Sequence, residues 1–371
     1  MTITGVESDT RLLSLLREYA YRGLRRMYRP EDGQFIFCLR KTDRGVVPEG
    51  ISRRYTAIAL IGLAGETPET QLAATHGDGT KKVCGQLMKD VGSVRNPGDV
   101  ALLLWAAKAV GFDDRQKALD RLLSLGPADR SYPTVEIAWV LSALCVDNDP
   151  ATGGLRERLA RRLVDALGRR SFLFPHVLGD RGGGLRSHVS CFADMVYPIH
   201  ALSLYHRDSG NVDALDAASK SAKRICSLQG KDGQWWWHYD WRTGEVIEKY
   251  PVYAIHQDAM APMALLALQE VSGIDFAKEI RKGISWLEHS PELGGSSLID
   301  PEEGIVWRKV ARREPGKLTR YLQATASRLH PAIRFPLADS LFPPTAVDYE
   351  DRPYHLGWFL YAWKGSDRTC K

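Results

Sequence analysis

Two segments, Val212–Leu228 (VDALDAASKSAKRICSL) and Pro251–Leu268 (PVYAIHQDAMAPMALLAL), decide how this chain folds. In the first, Leu215, Ala218, Ala222 and Ile225 recur at helical spacing, while Asp213, Asp216, Lys220 and Lys223 take the opposite side. That pattern is an amphipathic helix with one wet face. In the second, the polar stretch His256-Gln257-Asp258 gives way to residues that are apolar on every side. A helix without a wet face must be enclosed.

Working outward, the same two kinds alternate along the chain. Thr10–Tyr28, Lys81–Val91, Asp114–Leu125, Gly154–Leu167, Val212–Leu228 and Phe276–His289 read as outer helices. Ser52–Leu63, Pro97–Val110, Pro133–Val146, Ser187–Tyr205, Pro251–Leu268 and Pro353–Trp363 read as enclosed ones. The last pair is interrupted by an irregular stretch with a further helix expected near Lys317–Arg328. Convincing alternating strands are scarce, so the class is all-α. About six outer-inner hairpins close into an (α/α)6 barrel or toroid. Pro97, Pro133, Pro251 and Pro353 stand near the starts of enclosed helices, where a missing N–H costs nothing. All enclosed helices then start on one rim, and their polar first turns form one mouth. The length of 371 residues would allow two domains, but the alternation spans it, so a single domain over 1–371 is expected.

Two internal repeats support this layout. Asp32-Gly33-Gln34-Phe35 matches Asp232-Gly233-Gln234-Trp235, each after an outer helix, with the Asp-Gly pair supplying a positive φ. On enclosed helices, Asp194-x3-Pro198-Ile199-x2-Leu202-x-Leu204 matches Asp258-x3-Pro262-Met263-x2-Leu266-x-Leu268. Each proline leaves the carbonyl of its own aspartate without an i+4 donor, so both aspartates sit beside a loosened turn.

The run Gln229-x3-Gly233-x-Trp235 resembles the repeat of terpenoid cyclases and protein prenyltransferases. Asp232-Gly233-Gln234-Trp235 also resembles the D-G-x-W turn of six-hairpin glycosidases. Both resemblances imply an (α/α)6 toroid and neither chooses a function. The cyclase motif D-x-D-D is missing: the comparable stretch, Cys191-Phe192-Ala193-Asp194, has one carboxylate.

Composition narrows the partners. Fifty Lys and Arg against 45 Asp and Glu leave +5, scattered rather than massed, which does not suit nucleic acid and permits a small anionic partner. The N-terminal stretch has charges where a secretory signal needs an apolar core, and no run of about 18 apolar residues follows. A cytoplasmic protein without a membrane span is expected, its oligomeric state open. Six separated cysteines form no CxxC or CxxH pair, so neither disulfides, nor a metal, nor another cofactor is expected.

Glycan chemistry is suggested by the stretch from Gly233 to Tyr253, which holds Trp235, Trp236, Trp237, His238, Tyr239 and Trp241 around an Asp240–Gly244 turn. It reads as a β-hairpin lid over the mouth, since aromatic faces stack on sugar rings. Trp236 and His238 are expected on the ligand face, joined by Tyr253, Gln257 and Tyr197. Asp194 and Asp258 are the candidate general acid and base, with His188 and His256 as their partners. Asp99, Glu136, Asp351 and His355 lie at the same rim, Glu136 and His355 as binding candidates. Arg53, Arg54, Arg181 and Arg186 supply guanidinium forks for a carboxylate. The Gly182-Gly183-Gly184 loop reads as a flexible lid or a plain connector.

These residues point to a carbohydrate-active enzyme that cleaves or remodels an anionic, uronate-type oligosaccharide: a glycoside hydrolase, lyase or epimerase. An isoprenoid cyclase or prenyltransferase-like enzyme is one alternative. A non-catalytic glycan-binding toroid, in which the aspartates only cap helices, is the other.

Overall fold

The computed structural model describes residues 3–179, 184, 186–315, 318–329 and 338–365. Six outer-inner hairpins follow one another in chain order: α1 (Ile3–Met27) with α2 (Arg53–Leu63), α3 (Thr80–Lys89) with α4 (Pro97–Ala109), α5 (Gln116–Ser124) with α6 (Thr134–Asp147), α7 (Gly153–Ala166) with α8 (Ala193–Ser209), α9 (Val212–Ser227) with α10 (Ala261–Ser272), and α11 (Ala277–Glu288) with α12 (Pro353–Ala362). The even-numbered helices pack in sequence and α12 returns to α2, so the inner ring closes. In α4, every residue from Val100 to Ala107 is buried, whereas α9 buries only its Ala214, Ala217, Ala218, Ser221, Ala222 and Ile225 stripe.

Local chemistry starts and stops these helices. Ser52, Asn96 and Asn211 each accept a backbone N–H from the first turn of α2, α4 and α9. Asn148, Gly210 and Gly273 end α6, α8 and α10 in the left-handed conformation. The ring closes through glycine: a Cβ on Gly62 would lie 2.2 Å from the carbonyl oxygen of Gly357, and one on Gly357 would lie 2.5 Å from that of Ile58. Helices α2 and α12 thus meet backbone to backbone.

Both repeats have a structural meaning. Gly33 and Gly233 adopt φ of 59° and 105°, and Phe35 and Trp235 are fully buried. Gln229 Nε2 donates to the carbonyls of Gly233 and Glu279, stitching the turn after α9 to α11. At the second repeat, Pro262 cannot donate to Asp258. The chain widens into a π turn over His256–Met260, and the Asp258 carbonyl instead accepts Trp363 Nε1 at 2.7 Å. Around Pro198, by contrast, α8 runs on as an α-helix.

Two expectations need correction. Helix α8 starts at Ala193, not Ser187, because Val189–Cys191 forms a strand paired with His238–Asp240. Pro251 is not in a first helical turn: it follows a cis peptide bond, and Val252–Tyr253 pairs with Lys309–Val310. The helix expected near Lys317 spans Leu318–Leu329, Lys317 itself lying outside the described residues. Small sheets also escape the helical periodicity: Gln34–Thr42 pairs with Gly45–Ile51 and with Glu350–Asp351, and Lys309–Ala311 pairs with Ala346–Asp348. The expected hairpin is present, with strands His238–Asp240 and Val246–Glu248. Asp180, Arg181, Gly182 and Gly183 of the glycine-rich loop lie outside the described residues. No helix among the described residues is long and apolar enough to cross a membrane.

Candidate functional site

The first turns of the inner helices converge on one cavity of about 260 Å³. Arg54 and Tyr55 come from α2, Val135 and Trp139 from α6, Ala193 and Tyr197 from α8, His256 and Met260 from the π turn, and Tyr354 from α12. Trp237, Tyr253, Arg308 and Arg352 complete the wall and are shared with an outer pocket of about 440 Å³. Lys309, Arg312, Glu314 and Arg320 lie on that outer pocket. The mouth is therefore a two-part cleft, aromatic on its faces and cationic along one side.

The cations are held in place by carboxylates behind them. Arg54 Nε donates to Asp99 Oδ1 at 2.5 Å, with its guanidinium 5.5 Å from the Trp139 ring centre. Glu350 accepts from Arg40, Arg308 and Arg352, and Arg352 also donates to the Tyr55 hydroxyl at 2.9 Å. Arg308 and Lys309 share Asp348. Tyr55 stacks on Tyr354, their ring centres 4.6 Å apart.

His256 lines the cavity while 94% buried, and its Nδ1 has no hydrogen-bond partner among the described residues. Burial drives its pKa down to about 3, so the imidazole is uncharged across the ordinary pH range. Behind it, His355 Nε2 lies 2.8 and 2.9 Å from the two Asp258 oxygens. Burial opposes charge on His355, but the Asp258 carboxylate prevails and raises its pKa above the ordinary histidine value. Asp351, also buried, is raised to about 7 by desolvation.

Asp194 is wholly buried and belongs to a different group. Its Oδ2 accepts Cys191 N at 2.8 Å and lies 3.0 Å from Nδ1 of the half-exposed His176. The Asp194 carboxylate raises the His176 pKa.

The remaining candidates separate into those on the cleft and those off it. Arg54, Tyr197, Tyr253 and His256 line the inner cavity. Gln257 is wholly buried, tying Tyr253 O to Trp235 N, and His355 and Asp258 stand in a layer behind the wall. Glu136 accepts from Asn96 at 2.6 Å, and burial raises its pKa. Arg53 instead faces Asp90 at 3.7 Å. Arg186 stacks over Tyr321 of the Leu318–Leu329 helix, and His188 meets Ser327 of the same helix at 2.9 Å. Neither lines the cavity, because the chain there runs as a strand beneath that helix rather than as the first turn of α8.

On the aromatic hairpin, Trp237 lines both parts of the cleft, whereas Trp236 packs edge-on against Tyr250 and His238 is buried beneath Trp237. Trp237 stacks on His238 with ring centres 3.9 Å apart, and it is Trp237 rather than the expected Trp236 and His238 that meets the mouth. Sequence reasoning missed Tyr55, Tyr354, Arg308, Arg352 and His176. Tyr55, Arg352 and Tyr354 sit in or directly before legible first turns, but Arg308 and His176 lie on irregular connections that periodicity does not read.

No family model and no curated protein matches the chain. Solved structures do. An unsaturated glucuronyl hydrolase specific for heparin aligns over 98% of this chain and 97% of its own, with a TM-score of 0.60 at 14% identity. Cellobiose 2-epimerase from Bacillus thermoamylovorans aligns over 91% and 94%, with a TM-score of 0.60 at 12% identity. A sugar epimerase from a ruminal bacterium aligns over 95% and 98%, with a TM-score of 0.62 at 10% identity. The fold is thus an (α/α)6 toroid. Identities this low define architecture and leave chemistry to the site.

Proposed function

We propose that this protein is a carbohydrate-active enzyme that binds an anionic, uronate-type oligosaccharide in the two-part mouth and converts it by general acid/base catalysis. The observation that carries this reading is the wall itself: Arg54, Arg308 and Arg352 stand among Tyr55, Tyr197, Tyr253, Tyr354, Trp139 and Trp237 around one uncharged histidine. Guanidinium forks take a carboxylate, and aromatic faces take the ring that bears it. The proteins that share the fold, a glucuronyl hydrolase and two sugar epimerases by name, support a carbohydrate substrate, and the first of them supports a uronate. An isoprenoid cavity would instead be apolar on all sides.

Among the described residues lining the inner cavity there is no carboxylate, so proton transfer falls to His256 and the wall tyrosines Tyr55, Tyr197, Tyr253 and Tyr354. Asp258 orients His355 and favours its protonated form, which makes the pair a charged layer behind the wall rather than a group that touches substrate. His256 presents a neutral imidazole at the wall, which suits hydrogen bonding to a sugar hydroxyl, because a site that holds its pKa near 3 makes it a weak base. A single domain and a cytoplasmic setting complete the proposal.

The test is turnover of acidic and neutral oligosaccharide panels in D2O, followed by mass spectrometry. Cleavage with gain of water marks a hydrolase, cleavage without it a lyase, and one deuteron without cleavage an epimerase. Asp258→Asn is expected to reduce the rate at least about a hundredfold with the fold intact. Full activity of that variant, or exclusive preference for neutral sugars, would overturn the assignment.

A further inference from the structure

Cys191, Asp194 and His176 come from three different places: a strand end, the first turn of α8 and a connecting loop. The fold brings one donor atom of each within 4.8 Å of the others. No spacing in the sequence announces this, since His176 lies far upstream of the Cys191-x2-Asp194 pair.

From this juxtaposition we infer a divalent metal site, with Zn²⁺ as the ion its donors suit best. A thiolate, an imidazole and a carboxylate are the three ligand types that zinc accepts, and soft sulfur beside nitrogen disfavours magnesium and calcium. Charge agrees: one thiolate and one carboxylate neutralise a divalent ion, and the imidazole adds none. Tetrahedral zinc with bonds of about 2.0–2.3 Å needs donors roughly 3.5 Å apart. His176 already lies 3.0 Å from Asp194, and its side chain is 56% exposed.

The frame around the site is built. Asp194 is fixed by the Cys191 N–H at 2.8 Å, which orients a carboxylate as an outer-shell donor does. Ala193, between the two ligands, lines the inner cavity. Three protein donors leave a fourth position for water or a sugar oxygen. The bland alternative is a His176–Asp194 ion pair with a bystander thiol.

The two readings separate in a titration of the chelator-treated, full-length protein with Co²⁺ alone. The expected result is one equivalent bound, with a thiolate-to-cobalt absorption band that Zn²⁺ erases. Cys191→Ser should abolish the band. It and His176→Ala should each weaken binding at least about a hundredfold, beyond the 10- to 100-fold typical of losing an outer-shell partner. Thermal melts guard against misfolding: both variants should keep the metal-free melting temperature and lose the rise that Zn²⁺ produces. A band that survives in Cys191→Ser, or no cobalt binding up to millimolar concentration, would overturn the inference. Because no readout uses a sugar, failure here leaves the proposed activity untouched.

Discussion

Replacing Asp351 by asparagine should make the protein more stable at neutral pH, although it removes a buried charge beside the Asp258–His355 pair. Asp351 is 2% exposed, accepts the Arg352 N–H at 2.8 Å, and is raised from 3.8 to about 7 by burial. Between those values the native state holds a proton that the unfolded chain has released. Stability therefore falls as pH rises through that window. Three units at about 1.36 kcal/mol each make a cost of about 4 kcal/mol once both states are ionised. Asparagine keeps the shape and the Oδ1 acceptor but never ionises. From pH 5 to pH 8 about two of those units are crossed, so the gap between variant and wild type should widen by about 3 kcal/mol. His355 acts with the same sign: its raised pKa contributes stability present at acid pH and lost as pH climbs through the folded value. Some downward slope should therefore persist in the variant. Urea unfolding of both proteins at the two pH values measures the gap. Parallel profiles would refute the reasoning, since they would mean that Asp351 ionises in the native state as freely as in the unfolded one.

Two further outcomes follow from the geometry. Gly62→Ala sets a Cβ 2.2 Å from the Gly357 carbonyl where the ring closes, so overpacking should cost at least about 1–3 kcal/mol, visible as a lower urea midpoint. Arg54→Ala removes the guanidinium between Asp99 and Trp139 at the cavity wall. It should weaken binding of acidic oligosaccharides about 10- to 100-fold, the worth of a charge-assisted hydrogen bond, and leave neutral ones unchanged in calorimetry.

The barrel was legible because its cause is local. Whether a helix has one wet face or none is written in the spacing of its own apolar residues, so Val212–Ser227 and Ala261–Ser272 declare their layers without any partner in view. The Asp-Gly turns and the Asp258–Pro262 break are equally local: a positive φ and a missing N–H act within a few residues. Arg54, Tyr197, Tyr253 and His256 were within reach because they stand on or beside first turns whose rim the alternation already defined.

What tertiary structure alone decided lies where long-range pairing overrides periodicity. Pairing of Val189–Cys191 with His238–Asp240 carried His188 away from the mouth and brought Cys191 to Asp194 and His176. The strand at Lys309–Ala311 delivered Arg308 to the cleft from a segment with no helical pattern. Only the packing of Trp237 against Tyr253 chose which of the hairpin's aromatics meets the cavity. Apolar spacing is a property of a segment. Which cation, thiol or ring arrives at a shared wall depends on elements distant in the chain, and only their packing settles it.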